Sequence, residues 1–345
     1  MFQDITINEL LALHDKKELV LVDVRSPSEY KDSTIPGSLN ISLFNDEERA
    51  EIGTIYKQVS FQAAKERGLE IVSAKLPAFV KEFGQIDAQK AVFCWRGGMR
   101  SGTVATVLDL MGIQVYRLQG GIRAYRKWVV ETLDHLDIKQ EAYVLNGYTG
   151  AGKTTILRRL GKDGYPILDL EGMANHRGSV FGQIGLEPHN QKTFESLLVQ
   201  EVLHLQQAPY MLFEAESKRV GKVMLPDFIL ERKEQGIQLF IDMPVGERVR
   251  HILEDYSPWD HQEECIDAFR KIKRRIHTPV AAKIDNDLQS GNFDSAVQLL
   301  LEHYYDPLYE HTAKQYPEER RLTIKVQNVD EATEAIRDML LIPFK

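Results

Sequence analysis

Cysteine is scarce in this sequence, since only Cys94 and Cys265 occur among 345 residues. Two cysteines are a poor basis for a disulfide framework, so we expect a reduced compartment. Long apolar runs are also missing, because no stretch reaches the roughly 18 residues that a membrane helix needs. The first residues, Met-Phe-Gln-Asp-Ile-Thr, contain neither a positively charged nor an apolar leader region. The sequence therefore predicts a cytoplasmic protein without a membrane partner.

An excess of positive charge is missing as well. The net charge is −8, with 43 Lys and Arg against 51 Asp and Glu, which argues mildly against general nucleic-acid binding. One short segment is the exception, because its helical pattern predicts a concentrated basic face that binds a polyanion. The basic residues of this segment are Arg270, Lys271, Lys273, Arg274 and Arg275. A solvated helix face, balanced by Asp255, Glu263 and Glu264, explains the segment equally well.

No stretch rich in Pro, Gly or Ser and no internal repeat divides the chain, but its length is about twice that of a typical domain. Strand and helix signals alternate in the second half, which predicts a mostly parallel sheet with helices on both faces. We therefore expect an α/β protein with one domain at 1–130, a linker at 131–140 and a second domain at 141–345. Residues from about 260 to 315 are predicted to form a mainly helical lobe of the second domain.

The most informative segment surrounds Cys94. An apolar stretch predicts a buried strand before the cysteine, and a glycine-rich loop with two arginines follows it. Backbone N–H groups of such a loop, with a helix N-terminus behind them, favour a thiolate and hold an anion. This chemistry suits the transfer of sulfur, selenium or phosphate. The predicted catalytic residues are Cys94, Arg96 and Arg100, and the predicted phosphate-binding glycines are Gly97 and Gly98.

A second anion-binding motif lies just beyond the predicted linker. An apolar strand signal at 142–146 leads into Gly-Tyr-Thr-Gly-Ala-Gly-Lys-Thr, which matches the P-loop pattern, and a helix signal follows. In this motif glycine N–H groups surround phosphate oxygens, the lysine supplies charge, and a threonine hydroxyl reaches Mg²⁺. The predicted phosphate-binding residues are Gly147, Gly150, Gly152, Lys153, Thr154 and Thr155.

Two polar loops are expected to line a substrate site beside the P-loop. Their candidate residues are Asp169, Asn175, His176, Arg177, Glu214, Glu216 and Arg219. Glu214 ends an apolar strand, as does the acid that holds Mg²⁺ in other P-loop proteins, so Thr154 and Glu214 are the predicted metal ligands. Glu216 and Asp169 are weaker alternatives, and capping of a helix explains any one of these carboxylates about as well.

The N-terminal part of the chain resembles a rhodanese domain. Segments 21–30, 35–40 and 119–125 carry the resemblance, which implies that Cys94 is the nucleophile. A structural role is expected instead for Asp23, Arg25 and Glu29. One feature departs from the ordinary rhodanese loop, because the arginine stands six positions after the cysteine, as in the phosphatases of the same superfamily. We therefore expect the loop to accept a phosphorus-bearing donor of selenium or sulfur.

Across the whole chain, the combination of motifs resembles the bacterial tRNA 2-selenouridine synthase family. The matching segments are 46–49, 53–58, 93–101, 147–154, 169–179 and 214–221. The resemblance implies a transferase that replaces the 2-thio sulfur of a wobble uridine in tRNA with selenium from selenophosphate. It also implies that this sulfur is geranylated by geranyl diphosphate, with S-geranyl-2-thiouridine as the intermediate.

The two anion-binding motifs divide well between these reactions. Cys94 would accept selenium as a perselenide or assist its delivery, while Lys153 and Mg²⁺ would stabilise a departing diphosphate. The implied partners are tRNA and an enzyme that supplies selenophosphate. Two alternatives stay open: an ATP-dependent tRNA sulfurtransferase, and a non-enzymatic adaptor with a nucleotide-switched domain.

Overall fold

The computed structural model describes residues 2–15, 19–308 and 316–341. By its internal contacts the chain divides into two compact units. The first comprises Met1–His135 with Glu195–Val199, and the second comprises Leu136–Phe194 with Gln200–Lys345. Among the described residues, no helix combines the length and the apolar character needed to cross a membrane.

The first unit is built around a five-stranded parallel sheet. Its strands are β1 (Gln3–Ile5), β2 (Leu19–Asp23), β3 (Leu39–Asn40), β4 (Gln89–Phe93) and β5 (Val115–Leu118). Its helices are α1 (Ile7–Asp15), α2 (Pro27–Asp32), α3 (Asp46–Gln58), α4 (Phe61–Gly84), α5 (Met99–Leu110) and α6 (Gly121–Asp134). The strand order is β1-β5-β4-β2-β3, so β4 is central and the residue that follows it emerges at the carboxyl edge of the sheet.

Helix α6 ends later than the sequence indicates. It extends to Asp134, into the segment predicted as linker. Its first turns bury Ile122, Tyr125 and Val129, and this spacing of about one helical turn gives the helix a continuous apolar face.

The second unit contains a second parallel sheet of five strands. The strands of this unit are β6 (Glu141–Gly147), β7 (Ile167–Leu168), β8 (Tyr210–Glu214), β9 (Arg219–Val220), β10 (Val223–Met224), β11 (Ile237–Asp242) and β12 (Arg321–Lys325). The helices that follow α6 along the chain are α7 (Lys153–Lys162), α8 (Leu170–Ala174), α9 (Gln191–His204), α10 (Asp227–Gln235), α11 (Val245–Tyr256), α12 (Gln262–Ile272), α13 (Thr278–Ser290), α14 (Phe293–Leu300) and α15 (Val329–Leu341). The sheet order is β12-β11-β6-β8-β7, while β9 and β10 form a separate antiparallel hairpin. The predicted α/β class with mostly parallel sheets is therefore confirmed.

The strand order places the P-loop next to the acidic strand end. β6 pairs with β8 in parallel, and Leu145 of β6 lies opposite Glu214 of β8. Because β6 runs into the P-loop, the loop and Glu214 meet at the same carboxyl edge, where open α/β sheets bind their ligands.

The segment after Leu168 was predicted as a loop, but part of it is helical. Residues Leu170–Ala174 form the short helix α8, with Asp169 as its N-cap. The Asp169 carboxylate accepts a hydrogen bond from the backbone N–H of Gly172 at 2.7 Å, which satisfies one of the helix's free donors. A helix of only five residues is too short to give a periodic apolar pattern in the sequence.

Residues 262–305 are helical, in α12, α13, α14 and a π-helical turn at Leu301–Tyr305. Their buried side chains form a hydrophobic core that includes Phe269, Ile284 and Leu300. Residues 309–315 of the predicted helical lobe lie outside the described residues.

The basic segment is not one continuous helix, so the predicted helical spacing of its side chains is wrong. Helix α12 ends at Ile272, and Lys273–Arg275 form a 3₁₀ turn. The physical reason is Pro279, whose ring would clash with the carbonyl of Arg275 if the helix continued. The proline instead begins the next helix, α13.

Candidate active sites

Cys94 stands at the carboxyl end of β4, immediately before the glycine-rich loop. Its side chain is buried, with 3% exposed. The Sγ atom lies 3.2 Å from the hydroxyl of Ser101, which is itself buried in the first turns of α5. Helix α5 begins at Met99, so its unpaired first-turn N–H groups lie close to the cysteine in sequence. This arrangement places the cysteine sulfur beside a helix N-terminus, which is the geometry that the predicted anion-binding role requires.

Two glycines are required for the shape of the Cys94 loop. Gly97 has a φ of +63°, and a Cβ at this position would come within 2.6 Å of the carbonyl oxygen of Leu118. Gly121 lies on the other side of the contact, where a Cβ would come within 2.1 Å of the carbonyl oxygen of Cys94. The turn before α6 therefore supports the Cys94 loop by close backbone contact, which larger residues would prevent.

The two arginines of this loop are placed differently. Arg96 is exposed, whereas Arg100 is largely buried and forms an ion pair with Glu29. A second bond of this pair joins Arg100 Nη2 to Glu29 Oε1 at 3.1 Å. Although burial opposes it, the hydrogen bonds and charge of Arg100 hold the pKa of Glu29 below its usual value. Arg100 is thus positioned by Glu29 at the start of α5.

Asp23 and Arg25 form a buried ion pair, which agrees with the structural role predicted for them. Both side chains are almost fully buried, and the closest contact joins Arg25 Nη2 to Asp23 Oδ2 at 2.6 Å. The Asp23 carboxylate also accepts a hydrogen bond from the Thr34 hydroxyl at 2.9 Å. Since Asp23 lies opposite Phe93 in the sheet, this pair lies beside the strand that carries Cys94.

The P-loop connects β6 to α7, as the sequence predicts. Gly147, Gly150 and Gly152 all have positive φ, of +142°, +83° and +71°. Helix α7 begins at Lys153, whose Nζ donates to the carbonyl oxygens of Gly147 at 3.1 Å and Tyr148 at 3.4 Å. These two hydrogen bonds hold the lysine side chain against the P-loop. The hydroxyl of Thr155 lies 3.1 Å from His251 Nε2.

Three carboxylates cluster beside the P-loop: Glu171, Glu214 and Glu216, whose potential ligand atoms lie within 4.8 Å of one another. The Thr154 hydroxyl donates to Glu171 Oε2 at 2.7 Å. Glu214 is 1% exposed, and neither of its carboxylate oxygens has a hydrogen-bond partner among the described residues. An anionic cluster of this kind is costly unless a cation compensates it.

The pKa values of these three carboxylates are raised, as expected for buried acids without a compensating cation. Burial first, and then the charge of Glu216, raises the pKa of Glu171 to about 7. Burial and the charges of Glu171 and Glu216 raise the pKa of Glu214 well above 4.5, and burial raises that of Glu216. Oxygen ligands with excess negative charge are those that Mg²⁺ binds, so the donor set fits the predicted metal.

Glu171, Glu216 and the P-loop line one pocket of about 540 Å³, whereas the buried Glu214 is not among the residues that line it. Asn175, His176 and Arg177 also line it. His176 is buried and its Nδ1 accepts from the Gly178 backbone N–H at 3.1 Å, while burial lowers its pKa. The side chain of Arg177 forms an ion pair with Asp255 at 2.9 Å. These loop side chains therefore stabilise the wall of the pocket through their own contacts, and they also line the pocket.

Two predicted substrate residues point elsewhere. Arg219 Nε donates to the carbonyl of Gly221 in its own hairpin at 3.0 Å, and it is not among the residues that line the pocket. Asp169 caps α8 and forms an ion pair with Arg158 at 2.7 Å. The structure thus favours the capping alternative for Asp169.

Several pocket residues were not singled out from the sequence. They are Arg158, Glu171, Lys233, His251 and Tyr256. Glu171 had a signal, because it lies within the polar loop whose neighbours were selected. The others lie on helices α7, α10 and α11, where a polar residue is ordinary.

The basic segment is partly neutralised by local acids. Arg270 pairs with Asp267 at 2.7 Å, and Lys273 pairs with Asp285 at 2.7 Å. Lys271, Arg274 and Arg275 are exposed. The acids that balance the segment are therefore different from those proposed from the sequence.

Comparison with known proteins decides the family. A family model described as tRNA 2-selenouridine synthase AAA domain matches residues 140–339, and a rhodanese-like domain model matches residues 6–127. The chain belongs to the tRNA 2-selenouridine synthase family. Membership makes it a tRNA-modifying enzyme with a transferase-type activity, and the predicted combination of a rhodanese-like and a P-loop domain is confirmed.

Individual relatives agree over most of their length. A protein named tRNA 2-selenouridine synthase from Bdellovibrio bacteriovorus is 30% identical, and the match covers 85% of this chain and 89% of the relative. Relatives of the same name from Nitrosomonas europaea and Cupriavidus necator are 30% and 31% identical. These two matches cover 89% and 86% of this chain, and 92% and 89% of the respective relatives.

Proposed function

We propose that this enzyme converts 2-thiouridine at the wobble position of tRNA into 2-selenouridine in two steps. In the first step geranyl diphosphate alkylates the 2-thio sulfur, and in the second a selenium nucleophile from selenophosphate displaces the geranylated sulfur. One observation carries the proposal: the chain has two loops of anion-binding geometry, of which one begins with a buried cysteine and the other contains a lysine beside a carboxylate cluster. Two sites of different chemistry suit two reactions of different chemistry.

The first step is assigned to the P-loop pocket. The sulfur of 2-thiouridine attacks C1 of geranyl diphosphate, the C1–O bond breaks, and pyrophosphate leaves with the bonding electrons while the uridine N3 proton passes to solvent. The P-loop N–H groups and Lys153 bind the phosphate oxygens and stabilise the charge that develops on them. When Mg²⁺ is held by Thr154, Glu171, Glu214 and Glu216, it adds positive charge for the same oxygens.

The second step is assigned to the Cys94 loop. The reaction needs no oxidant if it begins at phosphorus. The Cys94 thiolate attacks the phosphorus of selenophosphate, the P–Se bond breaks, and hydrogen selenide leaves. The selenide then attacks C2 of the geranylated uridine and expels geranylthiolate. Water hydrolyses the phosphocysteine and restores the thiolate. Arg96 and Arg100 would bind the phosphoryl oxygens, which is what the six-residue spacing suits.

Mass spectrometry of nucleosides tests the proposal directly. The purified protein is incubated with 2-thiouridine tRNA and Mg²⁺, with geranyl diphosphate and selenophosphate supplied separately and together. We expect geranylated uridine with the first donor and 2-selenouridine only with both. Intact-mass analysis of the protein with selenophosphate alone should show one added phosphoryl group, and its absence from Cys94→Ser. Formation of 2-selenouridine without geranyl diphosphate would overturn the two-step order.

The P-loop also supports a second candidate, an ATP-dependent tRNA sulfurtransferase, because a P-loop binds phosphates without reading the group attached to them. ATP hydrolysis that is stimulated by tRNA, with no product from geranyl diphosphate, would favour it. The adaptor alternative requires neither reaction, so modified nucleoside from either donor rules it out.

A further inference from the structure

An apolar cavity adjoins the P-loop pocket within the second unit, and none of the roles assigned above uses it. Its volume is about 60 Å³, and its walls come mainly from α11, α14 and the π-helical turn after α14. The cavity and the P-loop pocket have five lining residues in common: Thr149, Ser179, Ile252, Tyr256 and Tyr305. Since Thr149 belongs to the P-loop itself, the cavity opens where phosphate is expected to bind.

The walls of the cavity are nearly all apolar and well buried. Phe293, Leu300 and Leu301 are 8%, 5% and 1% exposed, and Val297 lines the cavity one turn further along α14 from Phe293. An apolar cavity does not hold ordered water well, and the wall atoms lack dispersion partners until an apolar group enters. The chemistry of the walls therefore selects a hydrocarbon.

The cavity is also tied structurally to the P-loop. Leu301–Tyr305 is a π-helix, a rare conformation that is frequent at functional sites. The next residue, Asp306, accepts two hydrogen bonds from the buried Arg248 at 2.8 and 2.7 Å. Arg248 also donates to the carbonyl oxygen of Thr149 at 3.3 Å. One buried arginine thus joins the cavity wall to the phosphate-binding loop.

We infer that this cavity binds the hydrocarbon chain of a prenyl diphosphate whose diphosphate lies in the P-loop. The inference rests on the proposed function and specifies where its first substrate lies. A group of about water size needs roughly 10–15 Å³ of such space, so the cavity holds about four to six of them, close to the five carbons of one isoprene unit. The distal isoprene unit of a geranyl chain fills the cavity, and the proximal unit lies at the opening that Ile252 and Tyr256 share with the P-loop pocket.

Filling the cavity tests this inference. Val297→Phe places a larger side chain in the cavity, and Gln298→Phe makes the same addition at an exposed position of the same helix. Affinities for geranyl diphosphate and for inorganic pyrophosphate are measured by calorimetry with Mg²⁺ and without tRNA. We expect Val297→Phe to lower the affinity for geranyl diphosphate by about tenfold or more and to leave the affinity for pyrophosphate unchanged. Gln298→Phe should change neither affinity.

A second variant keeps the test informative if Val297→Phe folds poorly. Leu300→Ala enlarges the cavity, so it should improve binding of the longer farnesyl diphosphate relative to geranyl diphosphate. Folded Val297→Phe with wild-type affinity for geranyl diphosphate, or Leu300→Ala with unchanged preference, would overturn the inference. If wild-type protein nevertheless forms geranylated tRNA, only the location of the chain is wrong. If wild-type protein binds pyrophosphate and ATP but neither binds nor uses geranyl diphosphate, the proposed function fails as well.

Discussion

The Cys94 loop and the P-loop each lie at the carboxyl edge of a parallel sheet. The carboxylates beside the two loops differ, because their pKa values are shifted in opposite directions. Beside Cys94, the carboxylate of Glu29 is satisfied by Arg100, and its pKa is lowered. Beside the P-loop, burial and mutual repulsion raise the pKa of Glu171 and Glu214. The carboxylate of the first site has a basic partner, whereas the second site has an excess of buried carboxylates that the proposed Mg²⁺ would compensate.

This difference agrees with the proposal that one site forms a covalent bond and the other stabilises a leaving group. A buried sulfur with a hydroxyl at 3.2 Å is equipped to form a bond. A lysine, a helix terminus and a carboxylate cluster that fits Mg²⁺ are equipped to stabilise negative charge that departs. Variants that affect one site alone test whether the two sites act in separate reactions.

The largest effect is expected from removing the key group of each site. Lys153→Ala should lower geranylation by about 10³-fold or more, because the charge that stabilises the departing diphosphate is lost. Selenation of tRNA that already carries the geranyl group should remain largely intact. Cys94→Ser should give the opposite pattern. Nucleoside mass spectrometry with the two tRNA substrates measures both steps.

One outcome would contradict the division of labour. If Lys153→Ala lost both reactions while its thermal unfolding stayed that of the wild type, the two sites could not act independently. Unchanged selenium incorporation by Cys94→Ser would refute the role of the cysteine.

The next effect concerns the stability beneath the Cys94 site. Arg25→Leu should lower the free energy of unfolding by about 3–5 kcal/mol, because Asp23 would be left charged and buried without its partner. Chemical denaturation followed by circular dichroism measures the change. Arg67→Leu is a matched control, since Arg67 forms an exposed ion pair with Glu51 and its loss should have little effect. Equal losses from the two variants would show that the buried pair has no special role.

A smaller, pH-dependent effect is expected at the carboxylate cluster. Glu171 has a pKa of about 7 in the folded protein against an ordinary value of 4.5. As pH rises from 4.5 to 7, the unfolded chain releases this proton while the folded protein retains it, so the group lowers stability across that window. Without Mg²⁺ at pH 8, Glu171→Gln should therefore be more stable than the wild type by up to about 3 kcal/mol.

Mg²⁺ provides the control for this prediction. At pH 4 the two proteins should unfold at similar temperatures, since Glu171 is then protonated in both states. At pH 8 Mg²⁺ should stabilise the wild type more than Glu171→Gln, because the variant lacks one ligand charge. A wild type that gains no stability from Mg²⁺ at pH 8 would argue against a metal at this cluster.

The sequence predicted features that depend on consecutive residues. The P-loop and the Cys94 loop are continuous motifs, and each lies where its strand and helix signals require. Glu171 was not selected because its role depends on β7 and β8 being neighbours in the sheet, which chain order alone does not establish. The apolar cavity was also invisible, since Val297 and Leu300 have the same pattern as ordinary core residues of a helix.

Some local signals were overridden by others. The basic segment has helical composition, but helix α12 ends at Ile272 and Pro279 prevents one continuous helix through the segment, which redistributes the charges. Asp169 was selected as a substrate residue, and the structure uses it as a cap because Gly172 presents a free N–H at the right distance. In both cases the role of a residue depends on its three-dimensional neighbours, which amino-acid composition does not reveal.

The smallest effect is expected at the basic segment. The prediction there compares exposed basic side chains with basic side chains that already pair with acids. Arg274 and Arg275 are exposed, whereas Arg270 and Lys273 already pair with acids. Arg274→Ala with Arg275→Ala should weaken tRNA binding a few-fold and lower the slope of affinity against salt by about 1–2, because each phosphate contact contributes nearly one unit.

The matched double variant, Arg270→Ala with Lys273→Ala, removes the same formal charge. Its effect should be smaller, because Asp267 and Asp285 already neutralise these two side chains and little counterion release depends on them. Filter binding at several salt concentrations compares the two variants. If both variants keep the wild-type slope, the segment is a solvated face, and tRNA must be recognised elsewhere on an otherwise acidic chain.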